Sequence, residues 1–259
     1  GDNNLYHPEI VLALHREYLA AGAECLTANT FSLNGLYAAR QRQSWPETEA
    51  RIRAGMEIAI EAGAGKAYIL ADIGPSGEML PPLGQAQPAD FAEAYGRQAG
   101  IMAEYQPQAF LIETVFDLQE AELIVRACQA AAPEIPLLLS LTFASLRRGG
   151  ATLMGHTAAS VAAQAQALGC AAVGANCGDL TPQEHATVLA SMREACGLPL
   201  LIQPNAGKPV TQAGRVSYPL MAEDFAQQMQ ACYDAGARLL GGCCGTTPAH
   251  IAALAQRFL

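Results

Sequence analysis

Short apolar runs rich in Val, Ile and Leu alternate along this chain with longer Ala-rich segments that carry their charge on one face, and the rhythm persists to the C-terminus. A run with strand character followed by a helical period is a βα unit, and a series of such units lays its strands parallel, because each helix carries the chain back to the same end of the sheet. Strands are predicted over 24–31, 67–74, 109–116, 136–143, 171–177, 198–205 and 238–244. Helices are predicted at about 8–21, 47–63, 89–105, 118–131, 157–168, 182–195, 222–235 and 248–257, with Asp117, Thr181 and Pro248 as start signals. This is an α/β pattern, and its count fits a (β/α)8 TIM barrel whose first strand is missing, so that the chain starts inside the first βα unit. Such barrels commonly run about 250 residues, so the 259 residues are expected to form a single barrel domain over 1–259. No Ser/Gly linker, low-complexity tract or short-period repeat divides them.

Composition narrows the partners. Although 51% of residues are hydrophobic, no uninterrupted apolar run approaches the roughly 18 residues that read as a membrane span, so no membrane role is expected. A net charge of −9, from 24 acidic and 15 basic residues, gives no footing on a phosphate backbone, and nucleic acid is excluded as a partner. The opening GDNNLYHPEI carries neither a basic leader nor an apolar signal core. The eight cysteines are therefore expected as reduced thiols in the cytoplasm, to be read for metal binding or catalysis.

In barrels of this kind the chemistry sits at the C-terminal ends of the strands. The polar ends here are Asn29 and Thr30, Asp72, Glu113 and Thr114, Ser140 and Thr142, Asn176 and Cys177, Gln203 and Asn205, and Cys243 with Cys244. Cys177 closes AAVGANC and the Cys243–Cys244 pair closes RLLGGCC, so three thiols can meet on one side of the mouth. Three sulfurs leave the fourth tetrahedral position of a zinc ion open, which is a catalytic arrangement, and a substrate thiol can fill it. On position alone this stands level with the alternative that these are small buried hydrophobes, the role expected of Cys25, Cys128, Cys170, Cys196 and Cys232. A disulfide between adjacent cysteines is disfavoured by its strained geometry. The histidines at 7, 15, 156, 185 and 250 are expected in surface or packing roles. No G-x-S-x-G elbow, P-loop or G-x-G-x-x-G turn is present, which removes support for a serine hydrolase or a nucleotide cofactor.

GANC at 174–177 and GGCCGTTPAHI at 241–251 resemble the two zinc-ligand motifs of the homocysteine S-methyltransferase family. The resemblance continues in HREYLAAGAECLTANTF (15–31), LIETVFDLQEA (111–121) and QPNAG (203–207), in order along nearly the whole chain. DIGPSGEMLPPLG (72–84) and Gly245 are similar to the homocysteine-binding module of cobalamin-dependent methionine synthases, whereas members using S-methylmethionine tend to carry Arg after the cysteine pair. The resemblance implies Zn2+ held by Cys177, Cys243 and Cys244 and homocysteine activated as a thiolate and methylated to methionine. It implies Glu113 on the substrate amino group and Thr30 as a further substrate contact; Asp72, Asn176 and Asn205, polar strand ends at the same mouth, are expected to bind substrate or orient the ligands. The implied methyl donor is methylcobalamin on a separate corrinoid protein or module; the alternatives are an S-methylmethionine-dependent enzyme and a non-catalytic zinc- or thiol-binding scaffold. One departure is plain: the family opens with a strand bearing an Asp-Gly…Gly-Thr motif for the amino-acid end of homocysteine, and nothing before His7 matches it.

Overall fold

The computed structural model describes residues 1–212 and 214–259. Helices α1 (Asn3–Tyr6) and α2 (Pro8–Ala20) precede β1 (Cys25–Thr27), which is followed by α3 (Gly35–Arg40), α4 (Trp45–Gly63), β2 (Tyr68–Ile73), α5 (Pro88–Ala103), β3 (Ala109–Val115) and α6 (Leu118–Ala131). The chain continues through β4 (Leu137–Leu141), a short 3-10 turn at Arg147–Gly149, α7 (Ala158–Ala167), β5 (Ala172–Asn176), α8 (Pro182–Ala195) and β6 (Leu200–Gln203). It ends with the hairpin strands β7 (Val210–Gln212) and β8 (Arg215–Ser217), then α9 (Ala222–Asp234), β9 (Ala237–Leu240) and α10 (Pro248–Phe258). Seven strands form a parallel sheet in the order β1-β2-β3-β4-β5-β6-β9, while β7 and β8 pair antiparallel on their own. This is the α/β, (β/α)8-type architecture with seven parallel strands, and among the described residues no strand precedes β1. Nor is any described helix long and apolar enough to cross a membrane.

The residues group into two compact units, the first made of 1–20, 24–112 and 119–137, the second of 21–23, 113–118 and 138–259. In the first, β1 pairs with β2 from Cys25↔Tyr68, and β2 pairs with β3 from Leu70↔Ala109. A buried carboxylate organises the loop that follows β2. Glu120 accepts the Ser76 amide (2.8 Å), the Ser76 hydroxyl (2.6 Å) and the Tyr95 phenol (2.8 Å) on one oxygen. Three donors on a desolvated charge offset the cost of burying it and fix the path of the segment beginning at Asp72.

In the second unit β5 is buried along its whole length, as a strand paired on both sides and covered by helices must be. Gly174 lies where any Cβ would run into the Leu201 carbonyl of β6, so the two strands approach closely at that point. Helix α8 starts at a capping box in which the Thr181 hydroxyl accepts the Glu184 amide and the Glu184 carboxylate accepts the Thr181 amide.

His185 of α8 is fully buried, its Nδ1–H donating to the Thr181 carbonyl at 2.9 Å, and Nε2 has no partner among the described residues. Desolvation pushes its pKa down to about 4. The unfolded chain takes up this proton below about pH 6.5 and the folded chain does not. Stability from this group is therefore complete above about pH 6.5 and drains away as the pH falls from there towards 4. At ~1.4 kcal/mol per unit the loss amounts to about 3 kcal/mol over the window. His185→Gln should flatten the fall of the urea midpoint between pH 7 and 4.5; an equal fall in both proteins would exclude His185 as its source.

The strands are shorter than the apolar runs suggest at their C-terminal ends, because the chain leaves the sheet there to form the site loops. Cys177 has a left-handed backbone (φ 56°) directly after β5, which ends strand geometry in place, and Thr114 (φ 63°) distorts β3 one residue before its end. Helix α3 and the β7–β8 hairpin lie in stretches without strand or helix periodicity, and β8 is exposed throughout. Cys128, Cys170, Cys196 and Cys232 are buried as expected, but Cys25 is exposed. It starts the short strand β1, whose alternation buries Leu26 instead.

Candidate metal centre

The end of β6 builds this centre. Its continuation, Gln203 to Ala206, runs between the loop after β5 and the loop after β9 and hydrogen-bonds to both. On one side the Cys177 amide donates to the Gln203 carbonyl (3.1 Å). On the other, Cys243 N–H donates to the Pro204 carbonyl (2.9 Å) and Ala206 N–H donates to the Cys244 carbonyl (2.9 Å). The buried Asn205 amide spans the two, its Nδ2 donating to the Gly178 carbonyl (2.8 Å) and its Oδ1 accepting the Cys244 N–H (3.0 Å). Thr246 then ties back to the Cys243 carbonyl through its hydroxyl at 2.7 Å.

These bonds bring together three sulfurs that are 67 residues apart in sequence at the extremes. Cys177 Sγ lies 3.8 Å from Cys244 Sγ, Cys243 Sγ lies 3.9 Å from Cys244 Sγ, and all three fall within 4.8 Å of one another. A tetrahedral zinc with sulfurs at about 2.3 Å sets its ligands about 3.8 Å apart. The trio fits one such ion with little movement, and it forms the sole cluster of metal-ligating side chains among the described residues. Its protonation points the same way. Hydrogen bonds from Cys177 and Cys243, with a further one from Tyr218, hold Cys244 well below the ordinary thiol range, whereas Cys243 is driven far up by its bonds to Cys177 and Cys244 and by burial. Negative charges this close repel one another, and a cation among the three sulfurs would relieve that repulsion.

Glu113, near the end of β3, is half-buried, and its carboxyl is pushed up to about 7 by desolvation and then by the charge on Cys244. Asn176 is fully buried and fully engaged. Its Oδ1 accepts the Thr114 amide (2.9 Å) and the Ser140 hydroxyl (2.8 Å), and its Nδ2 donates to Thr114 Oγ1 (2.7 Å). It thereby holds Thr114 in a conformation that a β-branched residue avoids, one residue beyond Glu113. The six residues Cys177, Cys243, Cys244, Glu113, Asn176 and Asn205 all belong to the second unit. Thr30 and Asp72 belong to the first, where the Thr30 hydroxyl donates to the Asp72 carbonyl (2.8 Å) and both are buried.

Two further residues of the second unit are engaged in the tertiary structure. Tyr218, just after β8, has its phenol pushed up to about 12 by desolvation and by its interaction with Cys244. His250, expected in a surface or packing role, is buried in α10. Its Nε2 donates to the Leu220 carbonyl (3.0 Å) while Nδ1 accepts the Thr247 amide (3.1 Å). The spacing T-x-x-H at 247–250 is the sequence signal that could have flagged it, as a capping box closed by histidine.

The profile of the family described as homocysteine S-methyltransferase matches residues 2–258. A methionine synthase of Mycobacterium tuberculosis is 33% identical over 261 residues, covering 96% of this chain and 21% of that protein. A methionine synthase of Mycobacterium leprae is 31% identical over 258 residues with the same coverage. The chain thus spans about a fifth of the length of these curated relatives. Among solved structures, the homocysteine methyltransferase MmuM from Escherichia coli in its metallated form is similar in fold, with a TM-score of 0.79 at 24% identity, covering 99% of this chain and 87% of that one.

Proposed function

The chain belongs to the homocysteine S-methyltransferase family, and from that premise we propose that it binds homocysteine as a thiolate at a zinc ion held by Cys177, Cys243 and Cys244 and methylates it to methionine. The observation that carries this reading is the sulfur trio, spaced 3.8 and 3.9 Å about Cys244, with no fourth His, Cys, Asp or Glu grouped with it among the described residues. Zinc, when bound there, supplies the positive charge that keeps a thiol deprotonated at neutral pH and a vacant position to receive it. A free thiol has a pKa of about 8.5 and is mostly protonated at pH 7, so without such help the nucleophile is scarce. Asn205 keeps the two cysteine loops in register, and Glu113 receives the substrate ammonium. In the transfer the new S–CH3 bond forms as the bond from methyl to its donor breaks, with the electron pair of that bond leaving on the donor.

The donor we propose is methylcobalamin on a corrinoid protein or module separate from these residues. The supporting fact is that the curated relatives are named methionine synthase and are about five times as long as the matched region. Reduced cytoplasmic surroundings suit the eight free thiols.

X-ray absorption on the zinc-loaded protein tests the core of this reading. Saturating homocysteine should raise the sulfur count at the metal from three to four and release a proton at neutral pH, read by calorimetry in buffers of different ionisation enthalpy. An unchanged spectrum would refute direct binding of the thiolate. Methionine formation measured with each donor then separates the alternatives: turnover with S-methylmethionine reassigns the donor, and zinc without turnover from either leaves a scaffold.

A further inference from the structure

Helix α10 is tied to the cysteine pair by more than chain continuity. The stretch Tyr218–Leu220, after β8, links the two as a strap whose backbone is held on both sides: Leu220 N–H donates to the Ala206 carbonyl (3.0 Å), and the Leu220 carbonyl accepts His250 Nε2–H (3.0 Å). Ala206 in turn donates its N–H to the Cys244 carbonyl (2.9 Å). Two left-handed glycines mark how closely the strap lies. A Cβ on Gly207 (φ 85°) would stand 3.1 Å from Leu220 Cβ, and one on Gly245 (φ 79°), directly after the cysteine pair, would run into Tyr218. His250 is the far anchor of this chain of bonds, 30 residues from the carbonyl it holds.

The ring has one arrangement open to it. Nδ1 accepts the Thr247 amide (3.1 Å), and an amide N–H can only donate, so Nδ1 carries no proton; Nε2 faces a carbonyl, which can only accept, so Nε2 carries it. His250 is buried, with the Phe225 ring edge-on at 5.4 Å, and it cannot turn without breaking both bonds. The cap at Thr247 uses Nδ1 alone, so the bond from Nε2 to Leu220 is not needed to start α10. We infer that His250 is a positioning residue for Cys244: through Leu220 and Ala206 it keeps the strap against the cysteine loop, so that the sulfurs stand at ligand spacing before a metal arrives. The inference rests on the metal-site reading above. Sulfurs already in place bind an ion without the cost of ordering their loop. Groups outside the ligand set that hold it in position are worth about 10- to 100-fold in metal affinity.

Two substitutions separate the ring's two bonds. His250→Asn puts an amide oxygen near the place of Nδ1 and keeps the cap, but leaves the Leu220 carbonyl unpaired; His250→Gln carries an amide N–H out to the reach of Nε2 and keeps the strap. Zinc affinity, measured by competition with a chromophoric chelator, should fall about 10- to 100-fold in His250→Asn and stay near wild type in His250→Gln. Gly207→Ala, which leaves His250 intact and pushes Leu220 away, should show the same fall as His250→Asn. Melting of the metal-free proteins is the control, and affinities that follow the melting temperatures instead of the Leu220 bond would overturn the inference. So would wild-type affinity in His250→Asn and Gly207→Ala, or an equal loss in His250→Asn and His250→Gln, with the metal site left standing in each case. Should His250→Asn not fold, Gly207→Ala decides alone. A wild-type protein that takes up no zinc would overturn the metal-site reading, and this inference with it.

Discussion

Cys177→Ala should leave a folded protein that no longer retains zinc through dialysis against a mild chelator. Cys177 is the single proposed ligand on the loop after β5, whereas Cys243 and Cys244 are adjacent on the loop after β9. Losing it removes the clamp between two elements and leaves two sulfurs from one short stretch. Groups that only hydrogen-bond to a ligand are worth about 10–100-fold in metal affinity, so removing a ligand itself should cost at least about 100-fold. Methylation should disappear with the metal. The fold should persist, because Cys177 lies in a loop beyond the buried β5 and is itself half-buried. Circular dichroism checks the fold and elemental analysis the metal. Cys243→Ala and Cys244→Ala should behave alike, and a Cys177→Ala protein with full zinc content would show the ligand set to be wrong.

Homocysteine binding should fall by about 2–3 kcal/mol in Glu113→Ala, the scale of a charge-assisted hydrogen bond in a partly desolvated site. That corresponds to roughly a 30- to 150-fold rise in Kd. The carboxyl is held up to about 7 by desolvation and by the charge on Cys244, so an arriving ammonium group relieves both effects and favours the ionised form. Zinc affinity should change little, since Glu113 supplies no sulfur to the trio. Glu113→Gln, which keeps the size and part of the hydrogen bonding, should fall between. Calorimetry with homocysteine on zinc-loaded protein measures all three. Equal affinity in wild type and Glu113→Ala would remove Glu113 from the substrate site.

Much of this was legible because it is written in local chemistry. Periodicity located the seven parallel strands, since a strand buried on both faces needs a run of apolar residues such as LLLSL or AVGAN. The three cysteines proposed as ligands stood out by their place at strand ends. What stayed hidden depends on neighbours that no local pattern encodes. Asn205 is expected from the sequence to orient the ligands, but its bonds to both cysteine loops exist only once β5, β6 and β9 lie side by side. Asn176 likewise looks free to meet a ligand until the ends of β3 and β4 use up its amide.

Backbone shape was the other hidden term. The apolar run of β5 continues past its true end because the residue at 177 is compatible with strand by type, yet its backbone is left-handed; Thr114 is likewise left-handed, inside β3, where the Asn176 amide oxygen accepts its N–H. The strands at 210–212 and 215–217 carry no apolar alternation, so nothing in their composition announces that Tyr218 follows them against the backbone of Gly245.

The sequence by itself determined the class of fold and the identity of the three sulfurs, because hydrophobic period and thiol chemistry are properties of single segments. Tertiary structure decided which amide bridges the cysteine loops, which carboxyl is desolvated beside the thiols, and which histidine is buried neutral. Each of these depends on a distance between segments far apart in the chain, and such distances arise only when the sheet assembles and excludes water from between them.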